Sequence, residues 1–337
     1  QRNPLSTLWQ LGTNWRFVLK PVEDLVCPFR GVFSRENGFV SSVFTLVCGL
    51  WGVLVWALFG GAITRIAAVQ FARDEKISLK ESLQFAASKF LSYGGAPAIP
   101  LGFIAFFALL CIVGGFISRI PGVGPIFAGV LWVLPLVAGF VMAIILVGWA
   151  FGWPLMYSTI SVEGSDSFDA LSRSFAYIFQ RPWHYLFYTI VAVVFGSLCS
   201  FFVVLFADLL VYMTQWAVAW GCGDPLLSQL FYYAPDASGW GSGAEQAVDE
   251  PTGLTQFGAV CTGIWLYLLF FLLVGFVYSY FWSASTIIYY LLRRDVDNTE
   301  MQEVFLEGEA DDLGMPDEQA TATSPVVSSG ETQPHAG

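Results

Sequence analysis

The sequence predicts an all-α integral membrane protein of about five transmembrane helices, and three observations predict it. Five apolar stretches, at 39–64, 96–118, 126–160, 184–213 and 256–291, reach the roughly 20 residues a helix needs to cross the hydrocarbon layer. Apolar residues make up 56% of the chain and charged ones only 12%, a balance that in water would leave far more apolar surface than a folded domain can hide. Lysines and arginines gather in particular connections between the stretches. Those connections set the orientation.

Basic residues beside membrane spans stay on the cytoplasmic side. Arg65, Arg73, Lys76, Lys80 and Lys89 lie between the first two stretches, Arg173 and Arg181 between the third and fourth, and Arg293 and Arg294 after the fifth. Residues 214–255 carry none. The expected arrangement therefore puts 65–95, 161–183 and the C-terminus in the cytoplasm, and 119–125 and 214–255 outside.

Residues 1–38 conflict with this, because five spans place Arg2, Arg16, Lys20, Arg30 and Arg35 outside. The chain starts with Gln1 rather than Met, and one further helix ahead of it would restore a cytoplasmic start. Trp9, Trp15, Phe17, Phe29 and Phe33, interrupted by Pro21 and Pro28, predict interfacial helices lying on the bilayer surface.

Two cytoplasmic elements match after a shift of 88 residues. Ser78 and Glu81 stand where Asp166 and Asp169 stand, each pair spaced as a helix cap followed by an acid in the positive first turn. Leu79, Leu83, Ala86 and Phe90 then follow at helical spacing, as do Phe168, Leu171, Phe175 and Ile178. With the flanking spans this reads as a parallel two-helix repeat, and Asp297 with Glu300 as a truncated third copy. The alternative is that any cytoplasmic loop between two spans favours a capped surface helix.

The stretch from Ser161 through Glu163-Gly164 to Phe175, with Trp153-Pro-Leu-Met before it and Gly60-Gly-Ala-Ile-Thr-Arg as its first-half counterpart, resembles the membrane domain attached to glycerophosphodiester phosphodiesterases and its stand-alone bacterial relatives. The resemblance covers roughly residues 39–300. It implies a helical unit of the bacterial cytoplasmic membrane with no catalytic residues to carry over, and it does not extend to the phosphodiesterase barrel.

Individual candidates are few. Asp208 is the carboxylate deep within an apolar run, Phe201–Met213, about three-quarters of the way along its span; it reads as a proton or cation site, or as a group near the outer interface. Gly148 and Gly152 form a G-x-x-x-G that lets helices pack closely. Among Pro97, Pro100, Pro135 and Pro154, only Pro135 reads as internal to a span, where it could break a helix around a transport site. His184 and His335 cannot make a metal site alone. Asp295, Asp297 and Thr299 begin like a calcium loop, but Glu300 replaces the required Gly and Leu306 the closing Glu. Cys27 and Cys222 fall outside the spans on one expected side, which permits a disulfide, while the other four cysteines read as packing residues.

Residues 295–337 hold 11 acidic and no basic side chains, so the formal net charge of −11 belongs to a solvated, disordered tail and gives no reason to expect nucleic acid. The outer segment 214–255, with Trp216, Trp220, Phe231, Tyr232, Tyr233 and Trp240, reads as a lid or a partner surface. The membrane-embedded serines have no base nearby in sequence, and no phosphate-binding Gly loop is present. The expectation is a non-enzymatic protein without a cofactor: a scaffold or accessory subunit contacting lipid and a membrane-protein partner through the outer loop or acidic tail. The alternative is a carrier for lipid or a small apolar solute.

Overall fold

A computed structural model describes residues 14–24, 27, 38–119, 121, 124, 129–234 and 253–306. The regular elements among them are helices: α1 (Asn14–Val18), α2 (Phe39–Arg73), α3 (Leu79–Ser88), α4 (Phe90–Ile117), α5 (Val133–Glu163), α6 (Ser167–Gln180), α7 (Pro182–Cys222), α8 (Asp224–Tyr233) and α9 (Gly253–Asp297). Five of these, α2, α4, α5, α7 and α9, are long and apolar enough to span a membrane. The protein is a multi-pass α-helical membrane protein.

The helices outrun the apolar stretches that announce them. α7 has 41 residues and α9 has 45, or roughly 60 and 70 Å against a hydrocarbon core of about 30 Å. Hydropathy marks where a chain leaves hydrocarbon, whereas a helix propagates until something stops it. For α2, α5 and α9 the stop is a left-handed residue, Asp74 (φ 57°), Gly164 (φ 65°) or Asn298 (φ 56°). Each is a residue type that tolerates this conformation, and each donates its N–H to the carbonyl four residues back.

The same extension changes the segment 214–255: residues 214–222 complete α7, Trp216 and Trp220 included, and α8 follows with its Pro225 in the first turn. Residues 235–252 lie outside the described set. The prolines also move. Pro97 and Pro100 are inside α4 and Pro154 is inside α5, while Pro135 sits in the first turn of α5. The expectation had this reversed, because the runs of hydropathy place the helix starts wrongly.

α2, α4, α5 and α9 converge at the end that bears α3 and α6, around the buried rings of Tyr93, Trp149, Trp153, Tyr157 and Trp282. Lipid tails are as apolar as these side chains, so what holds them is close packing and polar contact between helices. Gly60 and Gly61 supply the space: a Cβ at either would meet the rings of Trp282 and Tyr93 at 2.8 and 2.9 Å. The Trp149 indole N–H donates to the Pro97 carbonyl over 3.0 Å, pinning α5 to α4. α7 leans on α9, with the Tyr280 ring over Gly196 and the Tyr280 hydroxyl donating to the Ala192 carbonyl over 2.6 Å.

Away from that end the bundle opens. Burial on α4 is confined to the stretch from Tyr93 to Ile104 and on α5 to the stretch from Gly148 to Val162, which leaves no fully buried residue on the rest of either helix. The N-terminal segment was expected to lie on the bilayer surface. Its described part packs on α7 and α9, with Val18 buried and the Tyr278 hydroxyl donating to Asp24.

Candidate functional site: a charged clasp at the convergent end

The site starts with two short turns. Gly164 ends α5, and two residues later the Asp166 carboxylate accepts the Asp169 N–H over 2.9 Å to start α6. At the corresponding place after α2, the Ser78 hydroxyl accepts the Glu81 N–H over 3.2 Å to start α3. Each cap satisfies a backbone donor that the first helical turn leaves open. Gly148 and Gly152 lie where α6 crosses α5. A Cβ there would meet the Phe175 ring at 2.8 Å and Ile178 Cδ1 at 3.1 Å, so these glycines accept side chains of α6 and not the backbone of a second span.

This geometry brings five charged residues together, Glu163, Asp169, Arg173, Arg293 and Glu303. Glu163, the last residue of α5 and nearly buried, lies 2.9 Å from the Arg173 guanidinium of α6 and 3.3 Å from Arg293 Nε of α9. It also accepts the Tyr289 hydroxyl over 2.6 Å. Arg173 turns its Nε to Asp169 at 3.1 Å, and Arg293 reaches the Glu303 carbonyl at 3.0 Å. The Arg293 Nε contact with Glu163 is an ion pair whose angle misses hydrogen-bond geometry, which leaves that buried N–H without a bond. Burial alone would pull the Arg173 guanidinium down, but the Glu163 and Asp169 carboxylates more than offset it and hold its pKa above the ordinary value.

Beside this cluster, Arg65 on α2 is buried. It donates to the Ser161 and Phe305 carbonyls, both at 2.7 Å, with its guanidinium 4.1 Å over the Phe85 ring. The Thr64, Ser161 and Tyr93 hydroxyls form a chain with 2.6 and 2.7 Å spacings. Phe305 closes the arrangement: its N–H donates to the Val162 carbonyl over 2.8 Å and its ring fills the space above Gly164, where a Cβ would be 2.6 Å away. Residues 298–306 thus fold back onto the α5–α6 corner. They do not form the helix expected of a third repeat copy.

Asp295 and Asp297 are also engaged here, accepting the Tyr188 and Tyr177 hydroxyls. Burial, then the Asp297 carboxylate, raises the Tyr177 phenol above its ordinary range. Asp208 is elsewhere, buried on the stretch of α7 with Ala207 and Val211 that packs against Leu266 and Leu273 of α9. Cys27 and Cys222 are both free and exposed. Among the described residues no three His, Cys, Asp or Glu side chains gather at metal-binding distance.

Of the clasp, the sequence had shown Asp166, Asp169 and the Glu163-Gly164 step. Arg65, Arg173 and Arg293 counted only as topology markers, and Tyr289 passed unnoticed within an apolar run. Intramembrane and membrane-edge charges were the available signal. No family model, curated protein or solved structure matches the chain.

Proposed function

We propose that the protein is a non-enzymatic scaffold or accessory subunit of a bacterial inner-membrane assembly, a stand-alone relative of the phosphodiesterase-associated membrane domain with its convergent end and tail in the cytoplasm. The supporting observation is that Glu163, Arg173, Arg293 and Tyr289 are turned onto one another, joining α5, α6 and α9. Charges so paired organise a structure; a catalytic or transport site would direct them at a substrate. Beyond residue 306 the sequence is acidic and suited to tethering a cationic partner.

The test is purification of the tagged protein from source membranes in mild detergent, beside a variant ending after residue 306. A companion in fixed molar ratio, released by salt and absent from the truncated variant, is expected. Recovery of the intact protein alone overturns the proposal.

A further inference from the structure

We propose that residues 298–306 are a latch that opens and closes within the folded protein, fastened by Phe305 and by the Arg293–Glu303 ion pair, and that its opening releases the Arg65 guanidinium on α2 and the Val162 carbonyl on α5. This is independent of the scaffold reading.

The segment is held by a small anchor. Residues 304–306 belong to no helix and their side chains alternate: Val304 and Leu306 join the apolar cluster that contains Ala68 and Tyr290, and Phe305 between them packs against the cluster that contains Tyr93 and Trp153. Glu300, Gln302 and Glu303 ahead of them are exposed. A stretch with so little apolar burial and no helical ladder of its own opens at lower cost than the helices beneath it.

Seating the segment also strands polar groups. Arg293 Nε and Thr299 Oγ1, on either side of the turn at Asn298, are buried without a hydrogen-bond partner, and so is Ser165 Oγ, next to Gly164. A buried donor or acceptor with no partner costs its desolvation, and water restores the lost bonds when the segment lifts. Against that penalty stand the Phe305 N–H bond to Val162, the Arg65 bond to the Phe305 carbonyl, and the Arg293–Glu303 pair at 3.3 Å. The Glu303 side chain is 53% exposed, so salt screens this pair. Opposed contributions on one short segment give it two states, and whatever competes for Glu303 shifts the population toward the open one.

The experiment follows hydrogen exchange of the Phe305 amide, whose proton is bonded to Val162 while the segment is seated, on the full chain in lipid nanodiscs. The Tyr157 amide, inside α5, is the reference. After correction for intrinsic rates, Phe305 exchanges at least about a hundredfold faster than Tyr157, and about threefold faster again as salt rises from about 0.05 to 0.5 M. Thr299→Val removes the stranded hydroxyl and slows Phe305 exchange about tenfold. Glu303→Gln speeds it about threefold and removes the salt response; either variant suffices if the other fails to fold. Exchange of Phe305 in step with Tyr157 at both salt concentrations overturns the proposal. So does a folded Thr299→Val protein that exchanges at the native rate or faster, or a folded Glu303→Gln protein that keeps the native rate and salt response.

Discussion

The backbone N–H of Phe305 donates to the carbonyl oxygen of Val162 over 2.8 Å, tying the first residues beyond the last membrane helix to the end of the third. The same residue carries its ring to the flat surface of Gly164 and its own carbonyl to Arg65. One short segment thereby joins α2, α5 and α9, and a set of mutational consequences follows.

Gly164→Ala destabilises the protein, by about 1–2 kcal/mol for a side chain in the left-handed region and further for the displaced Phe305 ring. Phe305→Ala removes the obstruction, so the double variant loses less than the two single losses added. Thermal unfolding in detergent gives the magnitudes. Digestion with a glutamate-specific protease reports release of the segment, since cleavage at Glu303 accelerates in either single variant.

Removing the charge of Glu163 takes away the carboxylate that Arg173 and Arg293 share, leaving Arg173 with Asp169 and Arg293 with Glu303. Glu163→Gln costs about 1–3 kcal/mol, below the range for a buried pair left wholly uncompensated, because each arginine keeps a second carboxylate. Replacing Glu163 and Arg293 together with Met costs less than the sum of the single replacements, and a double-mutant cycle on unfolding midpoints measures the difference.

The caps are local and smaller in effect. Ser78→Ala and Asp166→Ala each cost about 1 kcal/mol. Asp166→Ala has a second signature, because Asp169 in the same turn orients Arg173: it loosens α6, and hydrogen exchange of the Asp169 and Ala170 amides rises.

Tyr177 gives a pH dependence. Its phenol is raised above the ordinary value, so the stability it contributes is fully present below about pH 10, the unfolded tyrosine pKa, and is lost as pH rises through the higher folded value. Between pH 7 and 9.5 the native protein and Tyr177→Phe unfold with parallel profiles. Above pH 10 the native protein declines more steeply. Unfolding midpoints across pH 7–11.5 check this.

What the sequence revealed divides by distance along the chain. The five spans were legible because hydrophobic length is a property of contiguous residues, and the geometry of Ser78–Glu81 and Asp166–Asp169 because a cap acts over three positions. Helix ends were misjudged wherever a helix continues past the apolar run that marks it, as α7 does past Met213. Glu163 meeting Tyr289 was illegible: the residues are 126 positions apart and only the packing of α5 on α9 unites them. Phe305 likewise reads as one of several apolar residues among the acids until Gly164 is set beneath it.

α9 runs through 45 residues with no proline within it, touches α8 toward one face of the bilayer, and delivers Arg293 and Glu303 to the other. A helix without proline bends gently and does not break, so a tilt imposed at the α8 end carries along α9 to Arg293 and the segment 298–306 that packs on α5. Whatever grips the protein on one side of the membrane therefore has a mechanical handle on the other.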